Sequence, residues 1–152
     1  MKLSECLIPE AVEAQVSASD KNACLERLVD LLEHTDGFMD RDKLVKEIKE
    51  REALGSTGIG KGVAIPHIHI DGVDRLHVSM MTTGSGVDFD AIDDEPCRIF
   101  IMVVAPDSQR EMYLQLLSEV SRLFREDDVR ESVLSAGDTS GLIGAIENAE
   151  SE

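Results

Sequence analysis

The residues best suited to chemistry lie in Gly55-Ser56-Thr57-Gly58-Ile59-Gly60-Lys61-Gly62-Val63-Ala64-Ile65-Pro66-His67, a glycine-rich loop that runs into a short apolar strand and delivers a histidine after a proline. The glycines permit backbone conformations that other residues resist, Val63 to Ile65 has the composition of a buried strand, and Pro66 fixes its own φ and restricts Ile65. His67 is therefore expected at a strand end, beside a loop whose backbone N–H groups can face an anion. A neutral imidazole attacks phosphorus through one ring nitrogen when the other is held as a donor by a carbonyl or hydroxyl. Taken alone, without the surrounding motif, His67 reads better as a structural histidine satisfied by a hydrogen bond. Arg51, Lys61, the loop N–H groups and the hydroxyls of Ser56 and Thr57 are the candidates to face such an anion, each side chain also readable as a solvated one.

Other readings of the loop fare worse. Gly55-x-x-x-x-Gly60-Lys61 matches a nucleotide-binding P-loop until its last position, where Gly62 replaces the hydroxyl that would hold Mg²⁺. The order is also reversed, because a P-loop follows a strand and opens a helix. A dinucleotide fingerprint fails at Val63, where its third glycine belongs. His67 and His69 alternate on one face of a strand, with His77 on the next, which is a metal-site alternative. No Cys-x-x-Cys or His-Glu-x-x-His spacing accompanies them, and the reading adopted needs neither metal nor cofactor.

Composition narrows the function classes. At 152 residues, 42% apolar and 30% charged, the chain fits one soluble domain with a real core. With 31 acidic against 15 basic residues, net charge -16, and only one Tyr, four Phe and no Trp, nucleic-acid binding is disfavoured. The same charge favours basic partner surfaces or simply maintains solubility. Cys6, Cys24 and Cys97 are odd in number and far apart, consistent with reduced thiols. With no signal-peptide pattern and no membrane-spanning run, a cytoplasmic location without membrane insertion is expected.

The elements that must position these residues follow from periodicity. Leu25, Leu28, Val29, Leu31 and Leu32 predict an amphipathic helix capped by Ser19-Asp20 and stopping at Gly37. Asp40 caps a second, with Leu44, Val45 and Ile48 buried and Arg51-Glu52 near its end. Leu76 to Thr82 and Arg98 to Val104 read as strands, with turns at Gly84-Ser85-Gly86 and Asp93-Asp94-Glu95-Pro96. Ser108 and Glu111 have capping-box spacing before the stripe Tyr113, Leu116, Leu117, Val120, Leu123 and Phe124. Helices over Asp128 to Leu134 and Thr139 to Asn148 follow, with the last residues fraying, and the alternation predicts an α/β fold.

Arg51-Glu52, Ser56-Thr57-Gly58-Ile59-Gly60, Gly62-Val63-Ala64-Ile65-Pro66-His67 and Val87-Asp88-Phe89-Asp90-Ala91-Ile92-Asp93 together resemble the type-2 (mannitol/fructose-like) IIA domains of the bacterial phosphoenolpyruvate-dependent phosphotransferase system, and look closer to the nitrogen-related regulatory branch. The resemblance implies one domain over 1–152, an α/β fold with a central mixed β-sheet flanked by helices. It implies that His67 accepts a phosphoryl group from an HPr-like phosphocarrier protein, then passes it to a IIB domain or serves a regulated target, with regulation favoured. It singles out Arg51 as the phosphate-gripping residue, since a guanidinium holds a phosphoryl group through two oxygens. Alignment on Leu114-Gln115 puts Tyr113 where many relatives carry a second histidine. Tyr113 is then either a hydroxyl donor to the site or core packing. A small residue usually follows the Pro-His pair, whereas this chain has Ile68. Ile68 and Tyr113 are the grounds for the alternative, a non-phosphorylated binding module of the same fold.

Overall fold

The computed structural model describes residues 1–34 and 40–151. The chain forms α1 (Leu3–Cys6), a 3-10 turn (Pro9–Ala11), β1 (Val12–Val16), α2 (Lys21–Leu32), α3 (Arg41–Leu54), β2 (Gly58–Gly60), β3 (Val63–Ala64), β4 (His67–His69), β5 (His77–Val87), β6 (Cys97–Ala105), α4 (Arg110–Leu123), α5 (Asp127–Ser135) and α6 (Thr139–Glu150). The six strands make one mixed sheet in the order β1-β5-β6-β3-β2, with β4 also paired to β6. β1 runs parallel to β5, β5 antiparallel to β6, β3 and β4 parallel to β6, and β2 antiparallel to β3.

β6 explains the layers. Its side chains alternate, so Ile99, Ile101, Val103 and Ala105 join the core with α4, α5 and α6, while Phe100, Met102 and Val104 join the core with α2 and α3. Both faces are covered, which is why its sequence is a continuous apolar run. The helices on one side begin as expected. Asp20 accepts from the N–H of Ala23 at 2.8 Å, and Asp40 from the N–H of Asp42 at 2.9 Å. The expected stop at Gly37 lies outside the described residues.

Elsewhere the structure corrects the sequence reading. Gly84-Ser85-Gly86 is not a turn but part of β5, which slips register against β6 between Thr82 and Val87. Gly86 is required there because a Cβ would stand 2.7 Å from the Pro96 ring. Ser108 does not cap α4; residues Asp107–Gln109 wind a 3-10 turn and the helix starts at Arg110 without a side-chain cap. β1 was not anticipated: Val12-Glu13-Ala14-Gln15-Val16 alternates apolar and polar residues, but over only five positions, and Gln15 sits at φ +56 in an irregular register. Glu150 does not fray: it ends α6 and accepts from the N–H of Ser4 at 3.1 Å. Among the described residues no helix is long and apolar enough to cross a membrane.

Candidate active site

Pro66 splits one edge of the sheet in two. β3 pairs with Ile99 and Phe100, β4 with Val103 to Ala105, and Ile65-Pro66 bridges the gap. The Pro66 carbonyl stays in the ladder, accepting from the N–H of Val103 at 2.9 Å. The Ile65 carbonyl lies 2.5 Å from Nδ1 of His67. A carbonyl only accepts, so Nδ1 carries the hydrogen and Nε2 keeps its lone pair. Burial pushes the imidazole below its ordinary 6.5, the Ile65 carbonyl opposes this, and the positive charge of Arg51 lowers it further. At neutral pH the ring is uncharged, with a free lone pair on Nε2.

His67 opens on a shallow cleft of about 350 Å³, to which α3 contributes Arg51, β4 contributes His69, and α4 contributes Arg110, Tyr113 and Leu114. Arg51 donates through Nη1 to the Gly55 carbonyl at 3.0 Å, which ties its guanidinium to the end of α3. The Tyr113 ring is buried, 5.9 Å from the ring of His67 and 4.3 Å from that of His69. Burial raises its hydroxyl to about 12, so it remains a proton donor. The Tyr113 ring is thus packed in the core and also lines the cleft. Arg110 escaped the sequence reading. Its signal was the i, i+3 spacing to Tyr113, which puts both on one face of α4. Ile68 packs partly buried on the α2–α3 core and also contributes to the lining of the cleft.

Other candidates are placed elsewhere. Thr57 is buried and donates its hydroxyl to Glu52, whose other oxygen accepts from the Thr57 N–H at 3.2 Å. That hydroxyl is committed to a carboxylate and is not presented to the cleft. Ser56 donates to the Phe89 carbonyl at 2.6 Å and accepts from the N–H of Gly58 at 3.0 Å. The N–H of Lys61 goes to Asp93 at 2.8 Å, and its side chain lines a separate hollow with Ile59 and Arg125. The anticipated open nest of loop N–H groups is therefore absent at Thr57, Gly58 and Lys61, because that loop is stitched to Glu52 and to the Phe89–Asp93 segment. His77 is buried beside Asp74, 3.1 Å from its carboxylate. Among the described residues no three His, Cys, Asp or Glu side chains are grouped to hold a metal ion.

A family model described as phosphoenolpyruvate-dependent sugar phosphotransferase system, EIIA 2, matches residues 5–149. The chain belongs to this family. This EIIA domain is 35% identical over 127 residues to the fructose-specific EIIA component of the phosphotransferase system of Haloferax volcanii, covering 84% of this chain and 82% of that one. Its fold matches the crystal structure of the nitrogen regulatory protein IIA-Ntr from Neisseria meningitidis with a TM-score of 0.86 at 26% identity, over 95% of this chain and 98% of that one. It also matches a complex of enzyme IIA-mannitol with phosphorylated IIB-mannitol from Escherichia coli, at 0.79 and 19% identity over 93% and 97% of the chains, a likeness of fold alone. The mixed sheet flanked by helices is thus the family's architecture.

Proposed function

We propose that His67 accepts a phosphoryl group from a phosphohistidine on an HPr-like protein. The observation that carries this reading is the Ile65 carbonyl on Nδ1, which leaves Nε2 as the only ring nitrogen able to attack. In the step, a bond forms between Nε2 and phosphorus as the donor's N–P bond breaks, and that bonding pair returns to the donor imidazole. The Nδ1 proton stays on His67, held by Ile65, so the phosphorylated ring is an imidazolium and remains a good leaving group for onward transfer. Arg51 and Arg110 offset the incoming charge, and Tyr113 donates its hydroxyl proton to a phosphoryl oxygen. Thr57 contributes at one remove, by fixing Glu52 next to Arg51. No metal enters the step, since alignment and charge stabilisation suffice.

The physiological reading is regulation by phosphorylation state, supported by the Ser56–Gly60 and Asp88–Asp93 motifs and the fit to a nitrogen regulatory protein. Incubation with phosphoenolpyruvate, the first phosphotransferase enzyme and an HPr-like carrier should give an acid-labile mass increase that disappears in His67→Ala. No labelling under conditions that phosphorylate another IIA domain sinks the phosphocarrier reading. Rapid discharge of the labelled protein to a fructose-type IIB domain would replace regulation with sugar transfer.

A further inference from the structure

A residue that lines the cleft carries a polar atom that the proposed transfer leaves unused. His69 follows His67 by two residues in β4, so both imidazoles project to the same face, with their Cα atoms about 6.5 Å apart by strand geometry. His69 lines the same cleft, and the edge of its ring contact with Tyr113 fixes its plane. Its Nε2 is buried and makes no hydrogen bond. Its Nδ1 lies 4.0 Å from the carboxylate of Asp107, in the turn before α4. A buried ring nitrogen without a partner costs free energy unless another state of the molecule supplies one. A carboxylate on the opposite nitrogen favours the protonated ring. The groups facing His69 are His67 on its own strand, Asp107 before α4, Arg110 and Tyr113 on α4, and Arg51 at the end of α3. Two of these are cations that oppose a charge on His69 while the cleft is empty. A phosphoryl group on His67 shifts that balance by placing a dianion among them, of which the imidazolium formed on transfer offsets one charge.

We infer that His69 is a second phosphoryl-binding residue, which takes up a proton when His67 is phosphorylated and donates Nε2–H to a phosphoryl oxygen while Asp107 holds Nδ1–H. The inference rests on His67 being the acceptor. The proton comes from solvent and no bond to phosphorus is made or broken at His69, so this residue stabilises the phosphorylated state without carrying the group. Gln at this position retains a neutral N–H donor, whereas Ala removes it. Loss of one charge-assisted hydrogen bond predicts phosphotransfer slowed, or hydrolysis of the phosphorylated form accelerated, on the order of tenfold or more in His69→Ala.

The test uses the full chain labelled by the enzymatic donors, or by phosphoramidate as a small donor that needs no protein docking, with ³¹P NMR and hydrolysis rate followed across pH. In the unsubstituted protein the phosphohistidine resonance and the hydrolysis rate should both report, besides the phosphoryl group's own ionisation, a titration that His69→Gln removes and Asp107→Asn moves to lower pH. A merely structural His69 would change yield or stability but leave that titration in place. Labelled His69→Gln and His69→Ala proteins with the unaltered pH profile and hydrolysis rate overturn the inference while leaving His67 as acceptor. Failure of both donors to label the unsubstituted chain removes the acceptor and this inference together.

Discussion

Neutrality of His67 has a cost that shows as pH dependence. Both His67 and His77 are held below the ordinary 6.5 chiefly by burial, so the unfolded chain binds more protons than the folded one as pH falls. The stability they allow is present above 6.5 and is lost as pH drops through their lowered values. The urea midpoint should therefore fall between about pH 7.5 and about pH 5.5, and His67→Gln should flatten that fall without removing it, because His77 still titrates. Equal slopes in the two proteins would mean that His67 is not buried neutral. At this scale the position of His67 at a strand end was legible, since the proline before it and the glycines ahead of it are visible as letters. Arg110 left only its spacing to Tyr113 as a signal, and the use of Thr57 left none, because it depends on which way side chains turn once α3 packs on the sheet.

Between elements, the two motifs of the sequence prove to be one assembly. Glu52 at the end of α3 receives Thr57 from the loop and Lys21 of α2 at 3.1 Å, and Lys21 in turn sits 4.7 Å over the ring of Phe89. Gly58 lies against Ala91, where an added Cβ would come within 2.8 Å of the Ala91 Cβ. Gly58→Ala should force these segments apart and cost about 1–3 kcal/mol in chemical denaturation. Lys21→Met should leave the Glu52 carboxylate, only 3% exposed, without its cation, a loss of roughly 3 kcal/mol. An unchanged denaturation midpoint in either variant would show that the contact contributes nothing. Helices α2 and α3 were legible because caps and apolar stripes are local. The bulge in β5 and strand β1 were not, because Pro96 and the β5 edge that shape them are distant in sequence.

For the whole molecule, the acidic excess sets how a partner arrives. A chain of net charge -16 attracts a basic surface over many ångströms, and salt screens that attraction. Phosphotransfer from a basic HPr-like donor should slow severalfold between about 0.05 M and about 0.5 M salt under second-order conditions, while phosphoramidate labelling stays nearly constant. Equal salt dependence of the two donors would place the effect in the cleft rather than in docking. Where the charges stand against the cleft is set by the tertiary fold, and no count of residues reveals it. The Ile65 carbonyl, finally, is a main-chain atom, so the group that keeps the proton on His67 belongs to every amino acid at position 65 and no ordinary substitution deletes it. Side chains around the cleft can be exchanged one by one, whereas the direction from which the imidazole is held is set by the backbone itself. Only replacing the amide carbonyl chemically, or re-routing the chain at Pro66, would change it.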